Sequence, residues 1–292
     1  MFIFPEQKEL NVGGVKIGGQ LTTPAVLVGT IFYEGQKITN ENAEKLIKRQ
    51  EELSDETKLP CMLDIFSNSV EDVVKRIDFV ASVTEKPFFI DLPEPEVRLA
   101  GLKHCEEVGL LDKVVLNSIN MSMDEDEIEE LKKIHIQNAL LLAFNPTGNS
   151  LKGRIGILEN GAGVIDKGLI QVARDIGVKK ILIDVAATPL GDGAGTSLRA
   201  VFVAKSKFGY PTGIGIHNAV SSWNWLKGKE KIFCDISSNA LAKLAGSDFI
   251  LYGPIENSER VFPVMAMTES LISEALEEMG LHAQEDSPYK KL

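Results

Sequence analysis

Eight short apolar runs punctuate the chain, and the stretches between them keep their apolar residues to one helical stripe. The runs are AVLVGTIFY (25–33), PCMLDIF (60–66), PFFIDL (87–92), KVVLNSI (113–119), NALLLAFN (138–145), KKILIDVA (179–186), PTGIGIH (211–217) and DFILYG (248–253). Each is continuous rather than alternating and rich in Ile, Val, Leu and Phe, as parallel strands covered on both faces require. The intervening segments read as helices. SVEDVVKRIDFVASV (69–83) sets Val70, Val73, Val74, Ile77 and Val80 along one side, and NAEKLIKRQEEL (42–53) does the same with Leu46 and Leu53. The last, PVMAMTESLISEALEEMG (263–280), closes the series, and several of these segments end in a glycine suited to a C-cap. Ahead of the first run, ELNVGGVKIGGQ folds as a short hairpin turning at Gly13-Gly14. The tail, HAQEDSPYKKL, frays or lies over a neighbouring surface.

Eight strand–helix units without a low-complexity linker predict one α/β domain over 1–292, a TIM (β/α)8 barrel. A doubly wound sheet would carry a nucleotide fingerprint after its first strand. The chain has GTIFYEGQKI there, which is no GxGxxG.

Composition narrows the partners. The net charge is −11, with 25% charged and 44% hydrophobic residues over 292 positions. An acidic chain of this kind offers no basic footprint for nucleic acid or an anionic membrane surface. No apolar run approaches the roughly 20 residues of a membrane helix. The start, MFIFPEQKEL, has neither a basic segment nor a small-residue cleavage site, and Cys61, Cys105 and Cys234 are isolated from one another. The expectation is a reduced, cytoplasmic protein without a disulfide framework.

The C-terminal ends of six runs carry Asp64, Asp91, Asn117, Asn145, Asp184 and Asn218. In a barrel those ends converge on the face where active sites form. Helix capping explains such residues singly, but in IDLPEPEV and IDVAATPLGDG the Asp precedes any possible helix by several residues. Three carboxylates and three carboxamides without Lys or Arg suit a ligand that offers hydrogen-bond donors, such as a neutral heterocycle with an amidine-like edge. Mg²⁺ is a rival ligand for three aspartates, though no His-rich or paired Glu set supports a transition metal, and no metal site is expected. There is no GxSxG elbow. GDGAGT (191–196) lacks the Lys of a phosphate loop and reads as a flexible turn beside the pocket. DEDEIEE (124–130) reads as a solvated first turn, and Trp223 and Trp225 as packing in the helix after the seventh strand. His217, by strand alternation, points away from Asn218 and reads as packing rather than as an acid.

The segments VGGVKIGGQ, GTIFYEGQKI, LIKRQEELSDET, FIDLPEPEVR, VVLNSIN, LLAFNP and YGPIENS resemble those of the H-subunit family of tetrahydromethanopterin S-methyltransferase. The family includes bacterial relatives that methylate tetrahydrofolate from a corrinoid. The resemblance spans nearly the whole chain and implies a pterin-binding barrel. It implies that Asp91, Asn117 and Asp184 hydrogen-bond the pterin ring, that Asn218 lies near N5, and that Asp64 and Asn145 occupy equivalent strand ends. The implied reaction is methyl transfer between a corrinoid (cobalamin) and N5 of tetrahydrofolate. The corrinoid would arrive on a separate protein, since His104, His135, His217 and His282 all lack a DxHxxG context. Homodimerisation is expected of such barrels. The loop YEGQKITNEN is short, with Gln36 where the methanopterin-using members are expected to have a histidine. This favours tetrahydrofolate over tetrahydromethanopterin. The alternatives are a methanopterin-specific methyltransferase component, a non-catalytic pterin-binding component of a larger complex, and a barrel condensing a pterin with an aromatic amine. The last should want a Lys or Arg at the strand ends.

Overall fold

A computed structural model describes residues 3–291. Two antiparallel strands, β1 (Glu9–Val12) and β2 (Val15–Gly18), form the predicted hairpin. Eight parallel strands then close a barrel: β3 (Val26–Ile31), β4 (Cys61–Phe66), β5 (Phe88–Asp91), β6 (Val114–Ile119), β7 (Asn138–Leu142), β8 (Lys180–Asp184), β9 (Thr212–Ile214) and β10 (Phe249–Pro254). They neighbour one another in chain order, and β10 pairs back onto β3. This is the expected TIM barrel.

Helices cover the outside: α1 (Asn40–Thr57), α2 (Val70–Val83), α3 (Pro95–Glu107), α4 (Glu125–Lys133), α5 (Leu151–Glu159), α6 (Leu169–Ile176), α7 (Ala194–Phe208), α8 (His217–Ser221), α9 (Gly228–Leu244) and α10 (Ser258–Glu277). Their starts follow capping chemistry. Thr39 accepts from the Asn42 amide, Ser69 from Asp72 and Asp124 from Glu127. Within the acidic run, Glu127 is not solvated: it is buried against Arg98 at 2.5 Å. The tail takes the second of its two expected courses. Pro288–Lys291 form a turn of 3-10 helix, and the Lys291 ammonium donates to the Glu56 carbonyl of α1.

Two boundaries depart from expectation. β9 stops at Ile214, so His217 and Asn218 belong to α8 rather than to a strand. Trp223 and Trp225 stack on each other, centroids 5.4 Å apart, in the loop between α8 and α9 rather than in a helix, and Trp225 is exposed. Gly213 has a structural use: a Cβ there would lie 2.6 Å from the Phe249 ring. It therefore makes room for that aromatic inside the barrel rather than for a ligand.

Strand alternation sorts the barrel into layers. Val28, Met62, Phe89, Val115, Leu140, Leu182 and Phe249 form a fully buried interior cluster, joined from below by Val12 and Ile17 of the hairpin. The hairpin thus plugs the N-terminal end of the barrel. Two residues further along, the same inward phase brings Thr30, Asp64, Asp91, Asn117 and Asp184 to the opposite mouth. Among the described residues, no helix is long and apolar enough to cross a membrane.

Candidate functional site

Asp64 is 2% exposed and Asp184 8%, whereas Asp91 and Asn117 are half-buried. β4, β5 and β6 are adjacent, and their register pairs Phe66 with Asp91 and Asp91 with Asn117. The Asn117 Nδ2 donates to Asp64 Oδ1 at 3.2 Å, and the Thr30 hydroxyl donates to Asp64 Oδ2 at 3.2 Å. Asp184 joins from β8 and receives the Ala186 amide on Oδ1 at 2.7 Å.

Among the described residues no Lys or Arg lies within ion-pair distance of these carboxylates, and burial raises their pKa values. For Asp184 burial lifts the value to about 7, against the Ala186 amide and the charge of Arg154. Burial raises Asp64, with its two hydrogen bonds pulling the other way. Asp91 is raised by burial and then by the negative charge of Asp64, with Arg98 opposing. An ionised carboxylate here gains from a ligand bringing N–H donors, because among the described residues no cation is in contact with it and the arginines act only at a distance. Among the described residues, no group of three or more His, Cys, Asp or Glu is arranged to hold a metal ion.

The six strand-end residues do not all converge. Asn145 lies three residues beyond β7, and its carboxamide is used locally. Oδ1 accepts from the Thr147 amide (2.9 Å) and hydroxyl (2.8 Å), while Nδ2 faces the Gly153 carbonyl at 3.4 Å. It is an Asx turn that ties the loop to α5. Asn218 is exposed on α8, its Nδ2 beside Gly215, and no side-chain partner holds it among the described residues. Next to it, the His217 Nδ1 pairs with Asp235 at 2.9 Å, and the ring packs where Gly253 (φ +83) has no Cβ. His104, His135 and His282 are likewise paired with Asp78, Glu106 and Glu277, so each of the four histidines already has a carboxylate partner.

Sequence reasoning missed the arginines beneath the mouth. Arg76, Arg98 and Arg154 rise from α2, α3 and α5 and donate to carbonyls at or just past the strand ends: Phe66, Leu92 and Val185, at 2.7, 2.6 and 2.6 Å. They sit near the site but are spent on backbone, so they offer no anion pocket. Their positions in amphipathic helices carry no signal of this use. Thr30 was discoverable, since it shares the inward phase of the aspartates. Gln36 accepts from the Phe32 amide at 2.6 Å and donates to Glu256 at 2.9 Å, bridging the loops after β3 and β10. A groove of about 750 Å³ between α4 and α6 contains none of the six candidate residues.

Comparison with known proteins gives a family and a fold. The family described as "Tetrahydromethanopterin S-methyltransferase MtrH subunit" matches residues 5–284. The chain is 47% identical over 309 aligned residues to the H subunit of the tetrahydromethanopterin S-methyltransferase of Methanothermobacter marburgensis, covering 100% of both chains. To that of Methanopyrus kandleri it is 42% identical, covering 97% of both. Among solved structures, a Yersinia pestis dihydropteroate synthase superposes with a TM-score of 0.66 at 14% identity, over 91% of this chain and 100% of that one. The Xanthomonas albilineans dihydropteroate synthase gives 0.60 at 16%, over 92% and 98%. These last two are likenesses of fold.

Proposed function

The chain belongs to the family of the tetrahydromethanopterin S-methyltransferase MtrH subunit, and from that premise we propose that it moves a methyl group between N5 of a reduced pterin and a corrinoid carried by another protein. The observation that carries this reading is the inward ring of Asp64, Asp91, Asn117 and Asp184 above an apolar plug, with no cation in contact. The pterin amino group and N3–H are donors, and charged acceptors bind donors about twice as strongly as neutral ones do. Asp91, Asn117 and Asp184 hold the ring edge, and Asp64 orients Asn117 through the 3.2 Å bond. The unpartnered carboxamide of Asn218 both donates and accepts, so it follows N5 as that atom gains or loses the methyl group and a proton. Asn145 belongs to the supporting loop rather than to the ring contacts.

The sequence favoured tetrahydrofolate. Relatives matched over their full length instead carry tetrahydromethanopterin in their names, and Gln36 is used to bridge two loops. We therefore propose tetrahydromethanopterin as the pterin. The corrinoid, when bound, supplies a cobalt able to give or take the methyl group; the barrel supplies proximity and orientation. The chain would act as one component of an assembly, as the name of its relatives states of them.

The test is methylcobalamin mixed with the protein and either pterin, followed by loss of the methylcobalamin spectrum and formation of the N5-methyl pterin. Faster turnover with tetrahydromethanopterin is expected. No transfer with either pterin, from free or protein-bound corrinoid, overturns the reading. Faster transfer to tetrahydrofolate overturns only the choice of pterin.

A further inference from the structure

We propose that Arg154 is a positioning residue for Asp184: it holds the turn after β8 so that the backbone fixes one carboxylate oxygen and leaves the other for the ligand. Asp184 ends β8, and two residues later Ala186 adopts φ +60, a left-handed conformation that an alanine seldom takes unaided. The Ala186 amide reaches Asp184 Oδ1, 2.7 Å away, and it shares one planar peptide with the Val185 carbonyl, while the left-handed φ turns the Ala186 carbonyl towards the same arginine. Arg154 is what holds it. Its Nη1 donates to the carbonyls of Val185 (2.6 Å) and Ala186, and its Nη2 to the Thr188 hydroxyl at 3.2 Å. The Ser197 hydroxyl adds a bond to the Ala186 carbonyl at 3.1 Å.

Arg154 comes from α5, the unit before β8, and is 1% exposed. Arg98 clamps the carbonyls of Leu92 and Pro93 after Asp91 in the same manner, but its charge is matched by Glu127 at 2.5 Å. Arg154 has no carboxylate within ion-pair distance among the described residues, so its field reaches Asp184 without a contacting counter-ion. The charged groups acting on Asp184 are Arg154 from α5 and Asp64 from β4. The flanking strands place Leu142 and Gly213 beside it, and Asp192 acts on Arg154 itself. Arg154 thus has two separable effects on one carboxylate, a geometric one through Ala186 and an electrostatic one.

The role rests on Asp184 being a pterin contact, but the titration of Asp184 does not. Difference infrared spectroscopy against Asp184→Asn follows that carboxyl in the ligand-free protein, and pterin Kd is measured across the same pH range. In Arg154→Met the Asp184 midpoint should rise by about one pH unit, costing roughly tenfold in pterin affinity near neutrality. In Arg154→Lys the midpoint should stay near that of the unaltered protein. Adding Ala186→Gly to Arg154→Met should restore affinity at high pH, where charge no longer matters, without restoring the midpoint. An unmoved midpoint in folded Arg154→Met overturns the proposal, as does an equal rise in Arg154→Lys. If Arg154→Met does not fold, Ala186→Val decides with Arg154 intact. A β-branched residue rejects the left-handed turn and takes its carbonyl out of the grip of Arg154, so the Asp184 midpoint must rise, and an unmoved one overturns the proposal. Absence of pterin binding by the unaltered protein at every pH would sink the functional reading and leave the titration to judge Arg154.

Discussion

The two ends of the barrel both bury charge, and they treat it in opposite ways. At the hairpin end, Lys205 contacts Asp248 at 2.5 Å and the Gly19 carbonyl at 2.9 Å, while Lys243 contacts Glu269 at 3.2 Å and the Thr23 carbonyl at 3.0 Å. The remaining acceptors are also used: Asp248 takes the Thr212 amide and Glu269 the Ala25 amide. Burial raises Asp248 and Glu269, and in each case a lysine opposes it. At the mouth, Asp64 and Asp184 are buried and Asp91 is half-buried, with like charges for company, and the Asp64 charge adds to the rise at Asp91. A paired set serves the fold, since the buried ions satisfy each other and tie the hairpin to the strands. An unpaired set costs stability, and that cost is tolerated only where a ligand supplies the missing partner.

The largest effect should come from breaking the paired end. Lys243→Met leaves Glu269 buried without its cation, which costs about 3–5 kcal/mol, a Tm drop of roughly 10 °C in calorimetry. Pterin affinity measured well below that Tm should be unchanged. Adding Glu269→Gln should recover most of the loss, because it removes the uncompensated charge and keeps an acceptor for the Ala25 amide. A single variant as stable as the unaltered protein would erase the distinction between the ends.

Asp184→Asn tests the mouth, and both of its signs are reversed. The folded-state pKa of about 7 lies above the unfolded value of about 3.9, so the contribution of Asp184 to stability is intact below pH 4 and is lost as pH rises through 7. At pH 8 the ionised group costs on the order of 4 kcal/mol, about 3 pH units at 1.36 kcal/mol each. The carboxamide escapes that cost and can still accept the Ala186 amide. Its Tm should therefore exceed that of the unaltered protein by several degrees at pH 8, with the gain gone by pH 4. Pterin affinity should fall about 10- to 100-fold, the worth of a charged hydrogen bond. A variant that gains no stability, or that binds pterin normally, contradicts the picture of an acceptor waiting for donors.

The sequence made one end far more legible than the other. All eight strands were readable because parallel strands buried on both faces leave continuous apolar runs, and Asp64, Asp91, Asn117 and Asp184 broke those runs in the inward phase. At the hairpin end the hairpin itself was readable, but its buried ion pairs were not. Lys205, Lys243 and Glu269 sit in amphipathic helices where a charge reads as solvated, and only tertiary packing turns them inward. Arg154 was hidden for the same reason. Asn145 and Asn218 looked like further strand ends, but β7 and β9 stop early, at Leu142 and Ile214, and the polar residues beyond them belong to a turn and a short helix. A strand's exit from the barrel depends on its neighbours' register, which one segment alone does not encode.

Asn218 falls outside both halves of the comparison, being uncharged, exposed and without a side-chain partner among the described residues, and Asn218→Ala should have the smallest and most selective effect. Stability should stay within about 0.5 kcal/mol of the unaltered protein, as for surface changes that touch nothing. Pterin Kd should move by less than about threefold, because the ring edge is held by the carboxylates on other strands. The loss should appear in kcat, by roughly tenfold, the upper range for a neutral hydrogen bond. A group that follows N5 through the transfer is worth most when the methyl group is between partners, so its removal is felt in the transition state more than in the bound complex. Single-turnover methyl transfer at saturating pterin separates the two. Equal losses in Kd and kcat would place Asn218 with the binding aspartates, and a fall in Tm would place it with the paired ions below.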